Sequence, residues 1–234
     1  MQIIKYLQLP FYFDVSRLQQ EVNLLMDAHW QMHYQTLQYE GSWAAIPLRS
    51  IDGKSDHIIV APIPGAEYKD TEFLISSPYL QEILSTFKCP LMAVRLLKLD
   101  AGAIIKEHKD AELCFEKGEI RIHIPVITNE QVEFYLDKER LFLKEGESWY
   151  MNFNLPHNIN NYSDQNRIHL VIDAVVNDWV KELFNRNDLP VKKEIQEQQP
   201  QYDEATKKFM IARFREMNTP VAHELADKLE REMF

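Results

Sequence analysis

The 234-residue sequence predicts a mainly β fold, a sandwich or barrel with flanking helices and a helical extension at its C-terminal end. Two observations carry this expectation. From about Met92 to Val176, β-branched, aromatic or alternating segments follow one another, with a turn signal roughly every ten residues. From about Asn177 the pattern changes to helical spacing. The expected division is a barrel domain with N-terminal helices over 1–184 and a helical extension over 185–234.

The first third is mixed. Asp14 can cap a helix whose Leu18, Val22, Leu25 and His29 recur on one face. Trp43–Ile51 and His57–Pro62 read as short strands around a Gly-containing turn. Pro78 at a first-turn position opens a short helix through Phe87.

The middle third reads as strands at Met92–Leu99, Ala103–Lys106, Glu119–Thr128, Val132–Leu136, Arg140–Leu143, Ser148–Phe153 and Arg167–Val176. Turn signals separate them: Asp100-Ala101-Gly102, Lys117-Gly118, Asp137-Lys138, Glu145-Gly146 and Asn160-Asn161. Beyond them, Asn187–Gln201 is polar and holds Pro190 and Pro200, the pattern of a linker or extended crossing. Met210, Phe214 and Met217 then form an apolar stripe. Thr219-Pro220 is an N-cap followed by a helix-starting proline, and Val221, Leu225 and Leu229 are expected on one face. The two helices are expected to pair as a hairpin with a packing or homodimer role.

Composition narrows the function classes. The chain is 45% hydrophobic and 26% charged, as soluble globular proteins are, and its net charge of −10 argues against nucleic acid and anionic membranes as partners. No apolar stretch is long enough for a membrane span. Met1–Val15 does not read as a signal peptide, and two cysteines, Cys89 and Cys114, are too few for a disulfide framework. Cytoplasmic localisation is expected.

The chemistry sits in His108-Lys109-Asp110, His157 and Arg167. Two histidines and one carboxylate form the ligand set of non-haem Fe(II) oxygenases, which leaves iron positions open for a keto-acid cosubstrate and O2. His108 and Asp110 stand at i and i+2, so one strand or its end can aim both at one metal. His157 comes 47 residues after Asp110, enough for intervening strands to run out and back to the same rim. Arg121-Ile122-His123-Ile124 and Arg167-Ile168-His169-Leu170 repeat one pattern, with Arg and His on one strand face and the aliphatics on the other. An isolated Arg-x-His is more often a solvated face. Two copies around a metal-spaced set point into a barrel mouth, where a guanidinium fork suits a carboxylate. His29, His33, His57 and His223 lack such company and read as surface or interface residues.

Taken together, Arg95-Leu96-Leu97, the Gly102 turn, His108-Lys109-Asp110, Arg121-Ile122-His123, Gly146-Glu147-Ser148-Trp149, Pro156-His157 and Arg167 to Asp173 resemble the aspartyl/asparaginyl β-hydroxylase family of Fe(II)/2-oxoglutarate dioxygenases. Within it the likeness is greatest to bacterial free-proline hydroxylases. It covers about 40 to 180, including Trp43 and Leu48-Arg49-Ser50, and the C-terminal helices find only a loose counterpart. The resemblance implies a double-stranded β-helix of jelly-roll, cupin-like form, with iron held by His108, Asp110 and His157. It further implies 2-oxoglutarate chelated to iron, its far carboxylate on Arg167, and Arg121 and His123 near its C1 carboxylate. Some members place Ser near the cosubstrate tail, where this chain has Leu97.

The implied reaction hydroxylates an unactivated C–H while 2-oxoglutarate is decarboxylated to succinate. A free, proline-like amino acid is the favoured substrate, with Arg95 and Arg49 as candidates for its carboxylate; either could instead be an ion-pair partner within the fold. The alternatives are hydroxylation of Asp, Asn or another residue in a peptide, and a cupin-like barrel that binds metal or ligand without catalysis.

Overall fold

The computed structural model describes residues 2–28, 30–59, 67–111, 113–196 and 203–231. Two compact units divide them, residues 2–195 and residues from 196 onward. The first unit is mainly β. Its strands are β1 (Gln2–Tyr12), β2 (Gln31–Met32), β3 (Tyr39–Glu40), β4 (Trp43–Ile51), β5 (Tyr68–Asp70), β6 (Leu91–Leu99), β7 (Ile104–His108), β8 (Glu119–Ile127), β9 (Val132–Leu136), β10 (Glu139–Leu141), β11 (Glu147–Met151), β12 (His157–Asn161), β13 (Arg167–Val175) and β14 (Val191–Gln196). Four α-helices accompany them: α1 (Val15–Leu24), α2 (Glu72–Ile75), α3 (Pro78–Ser85) and α4 (Asp178–Phe184).

The strands form the two sheets of a double-stranded β-helix. The larger runs β14-β1-β11-β8-β13-β6-β4-β2, with β5 on β4; the smaller runs β10-β9-β12-β7-β3. β13 lies at the centre of the larger sheet, antiparallel to both β6 and β8. Its alternation decides the layering. Ile168, Leu170, Ile172 and Ala174 join Ile120, Ile122, Ile124, Val94, Leu96, Ile46 and Leu48 in a core that takes in Leu18, Val22, Leu80 and Ile83 of the helices. The opposite face looks between the sheets, where Trp43, Leu97, Leu99, Ile105, Phe134, Trp149, Phe153, Ile159 and Val171 form a second cluster. Arg167, His169 and Asp173 share that inner face, so three charged or polar groups stand in the space between two sheets.

Several expectations change. Residues 2–12, which carry no period, form β1, because the strand pairs with β11 and is buried along most of its length. His57–Ile59 is not a strand, and 60–62 lie outside the described residues; past the Gly53 turn β4 pairs with β5 instead. Asn160-Asn161 is no turn but the end of β12, which gains its ladder from β7 and β9 on either side. Part of the expected linker, Val191–Gln196, is β14 at the sheet edge. Gly146 is required where it stands. Its φ is +77°, and a Cβ there would meet the Phe13 carbonyl oxygen at 2.5 Å.

The second unit holds α5 (Glu204–Met217) and α6 (Pro220–Arg231). Asp203 caps α5 by accepting from the Thr206 N–H, Asn218 ends it in the left-handed region, and Thr219 accepts from Ala222. The buried positions of α6 are Ala222 and Ala226, whereas Val221 and Leu225 are 67% and 42% exposed. Arg215 of α5 accounts for this rotation: it reaches His223 Nδ1 (3.1 Å), Asp227 (2.5 Å) and Glu230 (3.0 Å), which turns that side of α6 inward. Among the described residues, no helix is long and apolar enough to cross a membrane.

Candidate metal centre

β7 ends on His108 and β12 begins on His157, and the two residues are register partners. Their rings lie 4.2 Å apart. Asp110 follows β7 in a turn pinned by its N–H to the Phe153 carbonyl (2.9 Å). One ligand atom from each of His108, Asp110 and His157 lies within 4.8 Å of the others.

The side chains are prepared for a metal. His108 Nδ1 faces the Lys106 carbonyl at 2.7 Å and His157 Nδ1 faces the Leu155 carbonyl at 3.0 Å. A carbonyl only accepts, so both rings carry a proton on Nδ1, which leaves Nε2 as the nitrogen that would bind a metal. Burial, with His108 close by, pushes the His157 pKa down to about 4 and keeps it neutral. Burial alone would raise the pKa of Asp110, but the Arg121 guanidinium, helped by His157 and His108, outweighs it and holds the carboxyl below its usual value. Two imidazoles that offer Nε2 and an ionised carboxylate fit Fe(II) with positions left open.

Behind this set lies a small inner cavity of about 30 Å³, lined by the three candidate ligands together with His123, Phe153 and Arg167. Arg167 is 2% exposed and has no carboxylate partner among the described residues. Its Nη2 donates to His169 Nδ1 at 2.8 Å, and its Nε has no partner among the described residues. Burial lowers its pKa to about 9. Since Arg167 can only donate, His169 Nδ1 accepts and carries no proton. His123 Nδ1 stands 3.2 Å from the same atom and must donate to it, which leaves His123 Nε2 a buried acceptor without a partner. Burial and Arg167 push both imidazoles well below their ordinary pKa.

A larger outer chamber of about 540 Å³ opens on the other side. Trp43, Leu97, Asp110 and Arg121 border both spaces and form the partition. Arg121 is held by carboxylates: Nη1 on Asp110 (2.5 Å), Nε and Nη2 on Asp173 (2.6 and 3.0 Å). Asp173, buried, also accepts from Arg95 Nη2 at 2.9 Å. Arg95 lines the outer chamber, and its Nε is buried without a partner.

The structure therefore brings together His108, Asp110, His157, Arg121, His123, Arg167 and Arg95. Arg49 stands apart. It lines neither space, and its guanidinium is taken by Asp70 and the Tyr68 and Leu91 carbonyls. Three further residues belong to the site. Asp173 and His169 share the inner face of β13 with Arg167, and the Arg-x-His-x-x-x-Asp spacing could have announced both. His33, expected at the surface, is buried and lines the outer chamber, because its ring stacks on Trp43. His29 lies outside the described residues.

A double-stranded β-helix with a His-x-Asp…His set at its mouth and a buried arginine behind defines a class of non-haem metal-site barrels. The model of the aspartyl/asparaginyl beta-hydroxylase family matches residues 13–176, and the chain belongs to that family. It is similar to an L-proline cis-4-hydroxylase of Rhizobium meliloti (strain 1021), at 27% identity over 76% of this chain and 64% of that protein. It is also similar to an L-proline cis-3-hydroxylase of a Streptomyces species, at 26% identity over 57% of this chain and 47% of that protein. The chain thus spans less than two thirds of the length of these relatives. Among solved structures, an oxidoreductase of the 2OG-Fe(II) oxygenase family from Burkholderia pseudomallei aligns with a TM-score of 0.49 and 12% identity, over 73% of this chain and 85% of that one.

Proposed function

We propose that this protein is an Fe(II)- and 2-oxoglutarate-dependent dioxygenase that hydroxylates a C–H of a free amino acid, with a proline-like substrate favoured. One observation carries the reading: a buried, unneutralised Arg167 faces the same small cavity as the metal-spaced set. A buried guanidinium without a counter-charge is costly and calls for an anion. In this reading His108, Asp110 and His157 hold Fe(II), and Arg167 receives the far carboxylate of 2-oxoglutarate. The bound metal and cosubstrate supply the oxidising chemistry, in which O2 is consumed and 2-oxoglutarate becomes succinate.

The remaining side chains orient and exclude. Leu97, Phe153 and Ile159 keep the inner cavity apolar between its polar ends. The outer chamber suits a small molecule, since pockets of about 300–1,000 Å³ are those that enclose one. Arg95, with its free Nε, is placed to take a substrate carboxylate. The family's name and the two relatives that act on L-proline support this assignment. The free thiols of Cys89 and Cys114 and the requirement for Fe(II) suit a reducing cytoplasm.

The test is succinate release from 2-oxoglutarate with Fe(II), with and without L-proline, alongside the mass of the product. L-proline should stimulate release and gain one oxygen. Stimulation only by Asp- or Asn-containing peptides would favour a peptide hydroxylase. Absence of succinate under every condition would favour a non-catalytic barrel.

A further inference from the structure

His33 follows β2, in a stretch with no sequence signal for function, yet it is held on every side. Its N–H donates to the Trp43 carbonyl (2.8 Å) and its carbonyl accepts from the Tyr39 hydroxyl (3.3 Å). Its ring lies over Trp43 at 3.5 Å between centroids and 12° between planes, and against Tyr34 at 4.6 Å. Nδ1 accepts from the Gln35 N–H at 3.4 Å. A neutral imidazole that accepts at Nδ1 carries its proton on Nε2. Burial, with Arg95 and Arg121 nearby, holds the pKa at about 3, so the ring is neutral at physiological pH.

That Nε2–H makes no hydrogen bond among the described residues, although the residue is 4% exposed and lines the 540 Å³ chamber. Two other chamber groups, Arg95 Nε and Trp43 Nε1, are buried donors without acceptors among the described residues. Buried donors left unmatched in a native fold require an explanation, and two of them on the chamber that the unpaired His33 donor also lines point to an acceptor-rich ligand group. Trp43, by contrast, already gives His33 its packing, so the ring would be as well seated without the second nitrogen. The stacking explains an aromatic at position 33. It does not explain a donor.

We infer that His33 is a specificity-determining residue of the outer chamber, its Nε2–H donating to a carboxylate oxygen of the amino-acid substrate. The inference rests on the free-amino-acid reading above. It adds a rigid, uncharged donor beside Arg95, and so discriminates by position where a guanidinium discriminates by charge.

The experiment measures L-proline and pyrrolidine, which lacks the carboxylate, binding to protein loaded with Mn(II) and 2-oxoglutarate, by calorimetry. His33→Phe keeps the stack and removes the donor. His33→Asn keeps an acceptor near Nδ1 and takes the donor away from the Nε2 position. His33→Gln restores a donor near Nε2. Phe and Asn should each weaken L-proline at least about tenfold, Gln should recover most of the loss, and pyrrolidine should bind all four proteins alike. The 2-oxoglutarate dissociation constant should stay within about twofold. The inference is overturned if both Phe and Asn variants bind L-proline as the wild type does, or if they lose pyrrolidine by the same factor. A wild-type protein that binds no L-proline overturns the free-amino-acid reading and this inference with it.

Discussion

Replacing Arg167 with methionine should stabilise the ligand-free protein and abolish its response to 2-oxoglutarate. Burial takes the guanidinium from an ordinary pKa above 12 to about 9. At about 1.4 kcal/mol per decade, that is ~5 kcal/mol against the charged form in the fold. The folded pKa is the lower one, so the unfolded chain holds the proton more tightly. The penalty is therefore present in full below about pH 9 and fades as pH climbs from there toward the unfolded value. Methionine is of similar length and has no charge to desolvate. It forfeits the hydrogen bond to His169, worth roughly 1–1.5 kcal/mol, and leaves that nitrogen without its donor. Allowing for this and for relaxation around the charge, ~2–3 kcal/mol of stabilisation should remain. In a protein of this size that is a rise of about 5–10 °C in melting temperature.

The assay is thermal melting with Mn(II), with and without 2-oxoglutarate. At a hundredfold excess over its dissociation constant, 2-oxoglutarate should add ~2.7 kcal/mol to the wild type and nothing to the variant. Each half has its own refutation. A variant that melts well below the wild type makes Arg167 part of the scaffold. A variant that keeps the 2-oxoglutarate shift shows that the cosubstrate is held elsewhere.

Other consequences can be checked on the same protein. His157→Ala should abolish Mn(II) binding by calorimetry, because one of three candidate ligand donors is gone; binding unchanged in affinity would remove His157 from the set. His33 has its pKa lowered to about 3 in the fold, so the unfolded chain takes up its proton first and stability should fall as pH drops from about 6.5 toward 3. His33→Asn should flatten that loss by about 2 kcal/mol or more in denaturant titrations, and parallel curves for the two proteins would refute the assignment. Gly146→Ala should cost about 2 kcal/mol or more by urea unfolding, from a positive φ and a contact of 2.5 Å with the Phe13 carbonyl; a cost near zero would mean that the turn relaxes freely.

The parts of the site written in the sequence are those whose geometry is local. β13 is legible because period-2 alternation in Arg167–Val175 separates an aliphatic face from a polar one, and the sheet uses that separation as read. His108 and Asp110 are legible for the same reason, standing two apart at a strand end. β12 is not: His-Asn-Ile-Asn-Asn has poor strand propensity, and only pairing on both sides makes it a strand. His33 is hidden because its partner, Trp43, is ten residues away across a turn, and nothing local marks a stacked pair. Arg121 shows the limit in another way. Its position on the inner face is legible, but that three of its N–H groups belong to Asp110 and Asp173 depends on register between β8 and β13.

Charge counting links the two spaces. Arg95, Arg121 and Arg167 share one face with Asp110 and Asp173, and the half-buried Glu119 also lines the outer chamber. Asp173 is shared between Arg95 and Arg121, and Arg121 leans on Asp110 as well. Among the described residues Arg167 pairs with none of these acids. A divalent cation on His108, Asp110 and His157 would add two positive charges to this set, and would draw on the same carboxylate that steadies Arg121. A dicarboxylate would cancel them. In a space of low dielectric these changes are large, so metal and dicarboxylate must each strengthen the binding of the other. A zwitterionic amino acid, the substrate class proposed above, would change the total not at all, and its recognition would fall to placed donors such as Arg95 Nε and His33 Nε2 rather than to net charge.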